Sequence, residues 1–320
     1  MPVLNEERHL ESAVKHVLAQ RYPGPVEVVL AIGPSKDRTQ EVADGLAAAD
    51  PRVKAVANPT GRTPAALNAA VRASSSPIIA RVDGHAMLPD DYLRVAVETL
   101  ESTGAENVGG VMAAEGVTAF EQAVARAMTS RFGVGNAAFH TGGQAGPADT
   151  VYLGVFLRDA LDRVGGYDEE YVRAQDWEMN HRIRSTGGLI WFQPRMRVSY
   201  RPRPNLKALA RQYFDYGRWR RVVARQHRGT INLRYLAPPA AVVAIAAGAI
   251  AGAVGFRPAF VVPGAYIVGV AGAALATGAG LRPASRAWLP LVYAAMHLPW
   301  GLGFLTSPPN LVPHRPNHTP

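Results

Sequence analysis

Between Leu236 and Leu305 the chain carries no acidic residue, and its only charges are Arg257, Arg282 and Arg286, with His297 the one imidazole. Such a run can be solvated only by a protein core or by hydrocarbon. Three stretches stand out, 239–256, 259–281 and 287–305, each long enough to cross a hydrocarbon layer of about 30 Å. We expect three membrane helices within 236–306; a set of buried core helices is the alternative.

The segment before them is strongly basic. Residues 204–235 hold Lys207, Arg211, Arg218, Arg220, Arg221, Arg225, Arg228 and Arg234 against the single acid Asp215, while the whole chain has a net charge of +9. Tyr213, Phe214, Tyr216 and Trp219 are interleaved with these cations. That pattern fits an amphipathic helix lying on an anionic, cytoplasmic membrane face, so the expected partner is a membrane and not a nucleic acid. The polar "NEERH" near the start does not read as a signal peptide, which places the remaining domain on the cytoplasmic side of a multi-pass cell-membrane protein. The chain has no cysteine, which excludes disulfides and thiolate metal sites. A Pro-rich tail, 307–320, reads as disordered.

Residues 1–203 alternate strand and helix. Asn5 followed by Glu6 and Glu7 reads as a helix cap, and Leu10, Val14, Val17 and Leu18 form one apolar face. Strands are expected at 26–32, 53–57, 78–82 and 151–157. Helices are expected from Asp37-Arg38-Thr39, from Thr63-Pro64, and over 90–100, 158–164 and 176–185. This order predicts an α/β, Rossmann-like domain with a mainly parallel central sheet, whose ligands bind beyond the carboxyl ends of the strands. Asp83-Gly84-His85 lies at such an end.

The motifs "MPVLNEE", "GPSKDRT", "NPTGRTPAALNAA", "RVDGHA" and "GGYDEEYVRAQDWEMNHRIR" occur in order. Together they resemble the family 2 glycosyltransferases of the GT-A fold, and the chain as a whole resembles the membrane-anchored members that assemble exopolysaccharides, of the succinoglycan-biosynthesis type. The resemblance implies an inverting transfer from a nucleotide-sugar donor to a lipid-linked or polysaccharide acceptor. A departing diphosphate calls for a divalent cation, Mn²⁺ or Mg²⁺, which prefers oxygen ligands. By resemblance, Asp83 and His85 are the metal candidates, and Asn5, Glu6, Arg62, Asn68, Asp83 and Gly84 line the donor site. Asp176 is the general base that takes the acceptor hydroxyl's proton. Gln212, Arg218 and Trp219 resemble the Gln-x-x-Arg-Trp signature of polysaccharide synthases at a longer spacing, as acceptor or diphosphate contacts; an interfacial aromatic belt is their other reading.

Four departures accompany the resemblance. His85 stands where the family usually has Asp, Gln175 where it usually has Glu, and Ile32-Gly33 where an aspartate commonly reads the base. The first strand normally precedes the "PVLNE" turn, so we expect a natural start upstream of Met1, which mass spectrometry of the native N-terminus checks. A catalytically inactive scaffold or binding protein of the same fold is the second reading, motivated by Ile32, His85 and Gln175.

Overall fold

The structure is a computed structural model that describes residues 1–312; the part of the expected tail at 313–320 lies outside the described residues. Along the chain the elements begin β1 (Pro2–Val3), α1 (Leu10–Leu18), β2 (Val28–Ile32), α2 (Thr39–Ala49), β3 (Val53–Ala57), α3 (Thr63–Ala73), β4 (Ile78–Ala80), α4 (Tyr92–Thr103) and β5 (Asn107–Ala114). They continue with α5 (Ala119–Met128), α6 (Arg131–Val134), α7 (Ala138–Thr141), β6 (Gly146–Pro147), β7 (Tyr152–Leu157), α8 (Arg158–Arg163), α9 (Gln175–Ser185) and β8 (Ile190–Tyr200). The last helices are α10 (Leu206–Gln226), α11 (Leu233–Ala253), α12 (Val261–Thr277) and α13 (Pro283–Leu305). Two compact units result: Met1–Ala113 with Gly142–Tyr200, and Ala114–Thr141 with Arg201–Pro320.

The first unit holds the α/β domain. β1, β2 and β3 form a parallel sheet in that order, with Val3 opposite Ile32 and Ile32 opposite Ala57. Their carboxyl ends therefore share one row, and the turns after them leave on one side. The β2 side chains alternate between two apolar clusters. Val28, Leu30 and Ile32 enter the main core, while Val29 and Ala31 pack with Ala66 and Ala70. A strand buried on both faces reads as a continuous apolar run, as this one does.

The mainly parallel expectation holds only for these three strands. The second sheet has the order β4-β7-β5-β8-β6, and its pairs β4–β7, β5–β7 and β6–β8 are antiparallel. The reversal follows from β5, which leads the chain away into residues 114–141 before β7 returns beside β4. Val108, Val155, Met196 and Val198 of this sheet share one core with Leu10, Val14, Leu30 and Tyr92. At the head of the "PVLNE" turn, Pro2–Val3 forms a short strand, and the Met1 amino group donates to Val29 O at 2.8 Å. Burial lowers that amine's pKa to about 5.

The second unit is helical. α13 packs against α5, α10 and α11, and Gly217 of α10 and Gly303 of α13 bring the two helix backbones into close approach at Trp300 and Phe214. Two helices, not three, are long and apolar enough to cross a membrane among the described residues: Leu233–Ala253 and Arg257–Thr277. The third expected span falls on α13, whose Leu289, Val292, Tyr293 and Met296 are buried. Its Arg286, His297 and Ser285 lower its hydropathy, and it serves as the unit's central packing helix. The basic segment forms α10, capped by Asn205, whose Oδ1 accepts from Ala208 N at 2.9 Å.

Candidate active site

Beyond the ends of β1 and β2, two turns are joined by hydrogen bonds. Asn5 adopts φ 55 and takes its place between strand and turn; its Oδ1 accepts from Lys36 N at 2.8 Å, and its own N–H donates to Ser35 Oγ at 3.0 Å. Asn5 is therefore not the cap of α1, which starts at Leu10 with His9 N and Leu10 N donating to Glu6 O. Glu6 N donates to Thr39 Oγ1 and Glu7 N to Asp37 Oδ2, while Asp37 Oδ1 accepts from Thr39 Oγ1. That last bond holds the Asp37 carboxyl below its usual range. Ile32 is 5 % exposed within the core, so its side chain has no access to a base. A Cβ at Gly33 would lie 3.2 Å from Gly61 Cα, which keeps this part of the turn as bare backbone.

The next turn places Arg62 at the start of α3. Its Nη1 lies 3.9 Å from Glu170 Oε1, with both side chains partly exposed. One turn further along the helix, Asn68 clasps the "GGYDEE" segment: Nδ2 donates to Tyr167 O and Glu169 Oε1, and Oδ1 accepts from Tyr167 N.

After β4 comes Asp83-Gly84-His85. The His85 ring Nδ1 lies 2.7 Å from Glu6 Oε1, and a Cβ at Gly84 would stand 3.1 Å from Glu6 Cγ. A side chain at position 84 would press on Glu6, which would have to give by a few tenths of an ångström. Asp83 Oδ1 accepts from Arg81 Nε at 3.3 Å and Nη2 at 3.1 Å.

Asp176 approaches from the far end of the domain. It lies in the first turn of α9, entered through Ala174 at φ 60. The helix is pinned by Arg182, which pairs with the buried Glu178 at 2.7 Å and donates to Gly166 O and Val164 O. Asn180 bonds Asn107 of β5 and Thr150, and Met179 and Ile183 are fully buried. Asp176 Oδ1 accepts from Arg81 Nη1, so one guanidinium joins Asp83 to Asp176 across 93 positions of sequence.

Arg81 was missed by the motif reading. It is 9 % exposed, and its pKa balances burial, which lowers it, against Asp176 and Asp83, which together hold it well above the usual arginine value. Tyr92 and Tyr167 are buried beside it, and burial pushes both phenols up. The signal was available: a cation inside the apolar run "PIIARV", two positions before Asp83 and hence on the same side of an extended chain. Among the described residues, the non-glycine positions with positive φ are Asn5, Leu153 and Ala174. All three adjoin this site, for Tyr92 Oη donates to Leu153 O and Arg81 N to Gly154 O. Strain of this kind collects at functional sites.

The remaining expected contacts, Gln212, Arg218 and Trp219, lie on α10 in the second unit. Gln212 Nε2 donates to Tyr216 Oη at 2.8 Å, the Arg218 guanidinium lies 5.6 Å from the Phe214 ring centre, and Trp219 is 9 % exposed.

An α/β domain with a paired strand-end carboxylate and a second carboxylate on a facing helix is the framework of a group-transfer enzyme. The chain belongs to glycosyl transferase family 2, whose model matches residues 1–165, and it is a glycosyltransferase of the GT-A fold. It is 36 % identical over 258 residues to the succinoglycan biosynthesis protein ExoA of Rhizobium meliloti (strain 1021), covering 80 % of this chain and 78 % of that protein. Among solved structures it is similar to the mannosyltransferase PcManGT from Pyrobaculum calidifontis in complex with GDP-Man and Mn²⁺. The TM-score is 0.64 at 22 % identity, over 95 % of this chain and 85 % of that one. A second likeness is to S. aureus TarS 1-349 in complex with UDP-GlcNAc, with a TM-score of 0.51 at 13 % identity, over 95 % and 89 % of the two chains.

Proposed function

We propose that the chain is an inverting glycosyltransferase of polysaccharide assembly. It moves a sugar from a nucleotide-sugar donor to a lipid-linked or polysaccharide acceptor at the cytoplasmic face of the cell membrane. One observation carries the reading: Arg81 joins the strand-end Asp83 to Asp176 on α9, giving the site a donor side and an acceptor side. Asp176 takes the proton of the acceptor hydroxyl as its oxygen bonds the anomeric carbon, and the bond to the diphosphate breaks with its electron pair leaving on the phosphate. The guanidinium, which donates to Asp176 Oδ1, fixes the direction in which that carboxylate faces.

The residues present fit a divalent cation shared with the donor. Asp83 Oδ2 accepts no hydrogen bond among the described residues, and the His85–Glu6 contact is the carboxylate–imidazole pairing that metal-ligating histidines make. No three His, Cys, Asp or Glu side chains converge to hold a metal ion by themselves among the described residues. A cation that keeps positions for substrate phosphates is held in this way, by one or two protein ligands. Mn²⁺ or Mg²⁺ bound there would stabilise the charge of the departing diphosphate. Asn5, Glu6, Arg62 and Gly84 border the donor side, while Asn68 acts through the segment it clasps. Gln212, Arg218 and Trp219 are the proposed acceptor-side contacts of the second unit. The helices Leu233–Ala253 and Arg257–Thr277, next to a basic α10, support a multi-pass membrane anchor with its cations on the cytoplasmic side.

The test is nucleotide release from a panel of nucleotide sugars with Mn²⁺ or Mg²⁺ and membrane-extracted acceptor. Asp176→Asn is expected to lower turnover by about 10²- to 10⁴-fold, and Asp83→Ala to abolish metal-dependent release. A fully active Asp176→Asn would end the assignment of the base.

A further inference from the structure

Arg81 sits where the two halves of the proposed reaction meet, and its stem cannot move away. Its backbone N–H donates to Gly154 O at 3.0 Å, its guanidinium is almost wholly enclosed, and it pairs with both carboxylates. Two acids and one permanent cation leave this cluster one negative charge. Enclosing the guanidinium is tolerable only while it stays paired, since an enclosed unpaired charge is costly. A divalent cation arriving at Asp83 brings like charge up to the guanidinium and competes for the same carboxylate. Arg81 then still has Asp176 to hold.

Resting on the proposed reading of Asp83 and Asp176, we infer that Arg81 is a positioning residue that couples the two sides of the site: it competes with the donor's divalent cation for Asp83, and once displaced it stays on Asp176 and orients that carboxylate for the acceptor. In the free enzyme Arg81 ties base and metal ligand together. Loading the donor side concentrates its charge on the base.

The two roles give Arg81→Gln opposite effects on binding and turnover, which a merely structural residue would not produce. Mn²⁺ is titrated into the full-length protein with saturating GDP, and separately UDP, and the free ion is read by electron paramagnetic resonance. Arg81→Gln is expected to bind Mn²⁺ about 10-fold more tightly, because a like charge has left the site, while kcat falls by roughly 10²-fold. Unchanged or weaker Mn²⁺ binding in the folded variant overturns the inference. Should that variant not fold, Arg81→Lys serves, since one compact ammonium cannot span both carboxylates as the planar fork does; it is expected to tighten Mn²⁺ and slow turnover in the same sense, and the opposite sign overturns the inference. A double-mutant cycle adds a second reading. Asp176→Asn is expected to weaken Mn²⁺ binding several-fold more with Arg81 in place than in the Arg81→Gln background, and equal effects in both overturn the coupling. Asp83→Asn separates the layers. Undiminished Mn²⁺ binding there sinks the metal reading and the inference with it, whereas loss of binding without tightening in Arg81→Gln sinks the inference alone.

Discussion

The two units solve opposite solvation problems. The first encloses ions: Arg81 and Glu178 are almost fully buried, each with an ionic partner, and Asn107 and Asn180 bond each other beneath them. The second leaves hydrocarbon in the open. Of the large apolar residues exposed among the described residues, only Leu4, Met87 and Val172 belong to the first unit; Val243, Ile250, Val261, Ile267 and Val268 are among those of the second. Buried charge demands fixed partners at fixed distances, whereas apolar helix surface demands only a solvent that does not penalise it. Specific chemistry belongs with the former arrangement and anchoring with the latter.

That contrast can be broken at its strongest point first. Arg182→Ala leaves the buried Glu178 carboxylate without the Arg182 guanidinium, and breaking a buried pair in this way is expected to cost about 3–5 kcal/mol, read as a drop in the melting temperature of the detergent-solubilised protein. Next comes Val243→Asp, halfway along α11. A carboxylate at the centre of a spanning helix costs roughly 2.5–3.5 kcal/mol, so vesicle flotation is expected to show a smaller bound fraction. A wild type that remains monodisperse without detergent would remove the contrast.

A smaller effect is tied to pH. Glu27 accepts from Lys54 Nζ, Ser74 Oγ, Ser75 N and Ser76 Oγ, and these bonds, led by that of Lys54, hold its pKa down from 4.5 to about 2. A depressed carboxylate stabilises the fold above its unfolded pKa and loses that contribution as pH falls through the folded one. About 2–3 kcal/mol is therefore expected to disappear between pH 4.5 and 2. Glu27→Gln should unfold in acid with a flatter profile across that window. Smallest is Thr118→Ala in the second unit, which breaks the capping box with Glu121 at the start of α5. The expected loss is about 1 kcal/mol, checked by denaturant titration.

The first half of the domain was legible because its strands are mostly apolar and its turns carry Asn, Asp, Gly and Pro. Recognition of the family rested on five short motifs in order. β5 and β8 escaped the pattern reading for separate reasons. Gly109-Gly110 interrupts β5, where Gly110 makes room for the Met196 backbone. β8 alternates Ile190, Phe192, Met196 and Val198 with Gln193, Arg195 and Arg197, a half-buried strand whose polar face disguised it. The third expected span is not among the helices apolar enough to cross a membrane because polar residues such as His297 lower the hydropathy of α13, which packs against α5, α10 and α11. At the site, Asp83 and Asp176 were visible as residue types in motifs, but their junction was not. A contact between positions 81 and 176 leaves no trace in local periodicity.

The shared row of Val3, Ile32 and Ala57 has an evolutionary consequence. Val3 and Ile32 in that row belong to the core, and immediately beyond it begin the turns of the candidate site. The departure at Ile32-Gly33 therefore straddles the row, with the Ile32 side chain in the core and Gly33 the first residue of the turn. Under the proposed function, changes in the turns alter the donor accepted while the sheet beneath them stays the same, so donor choice and foldability are separable traits.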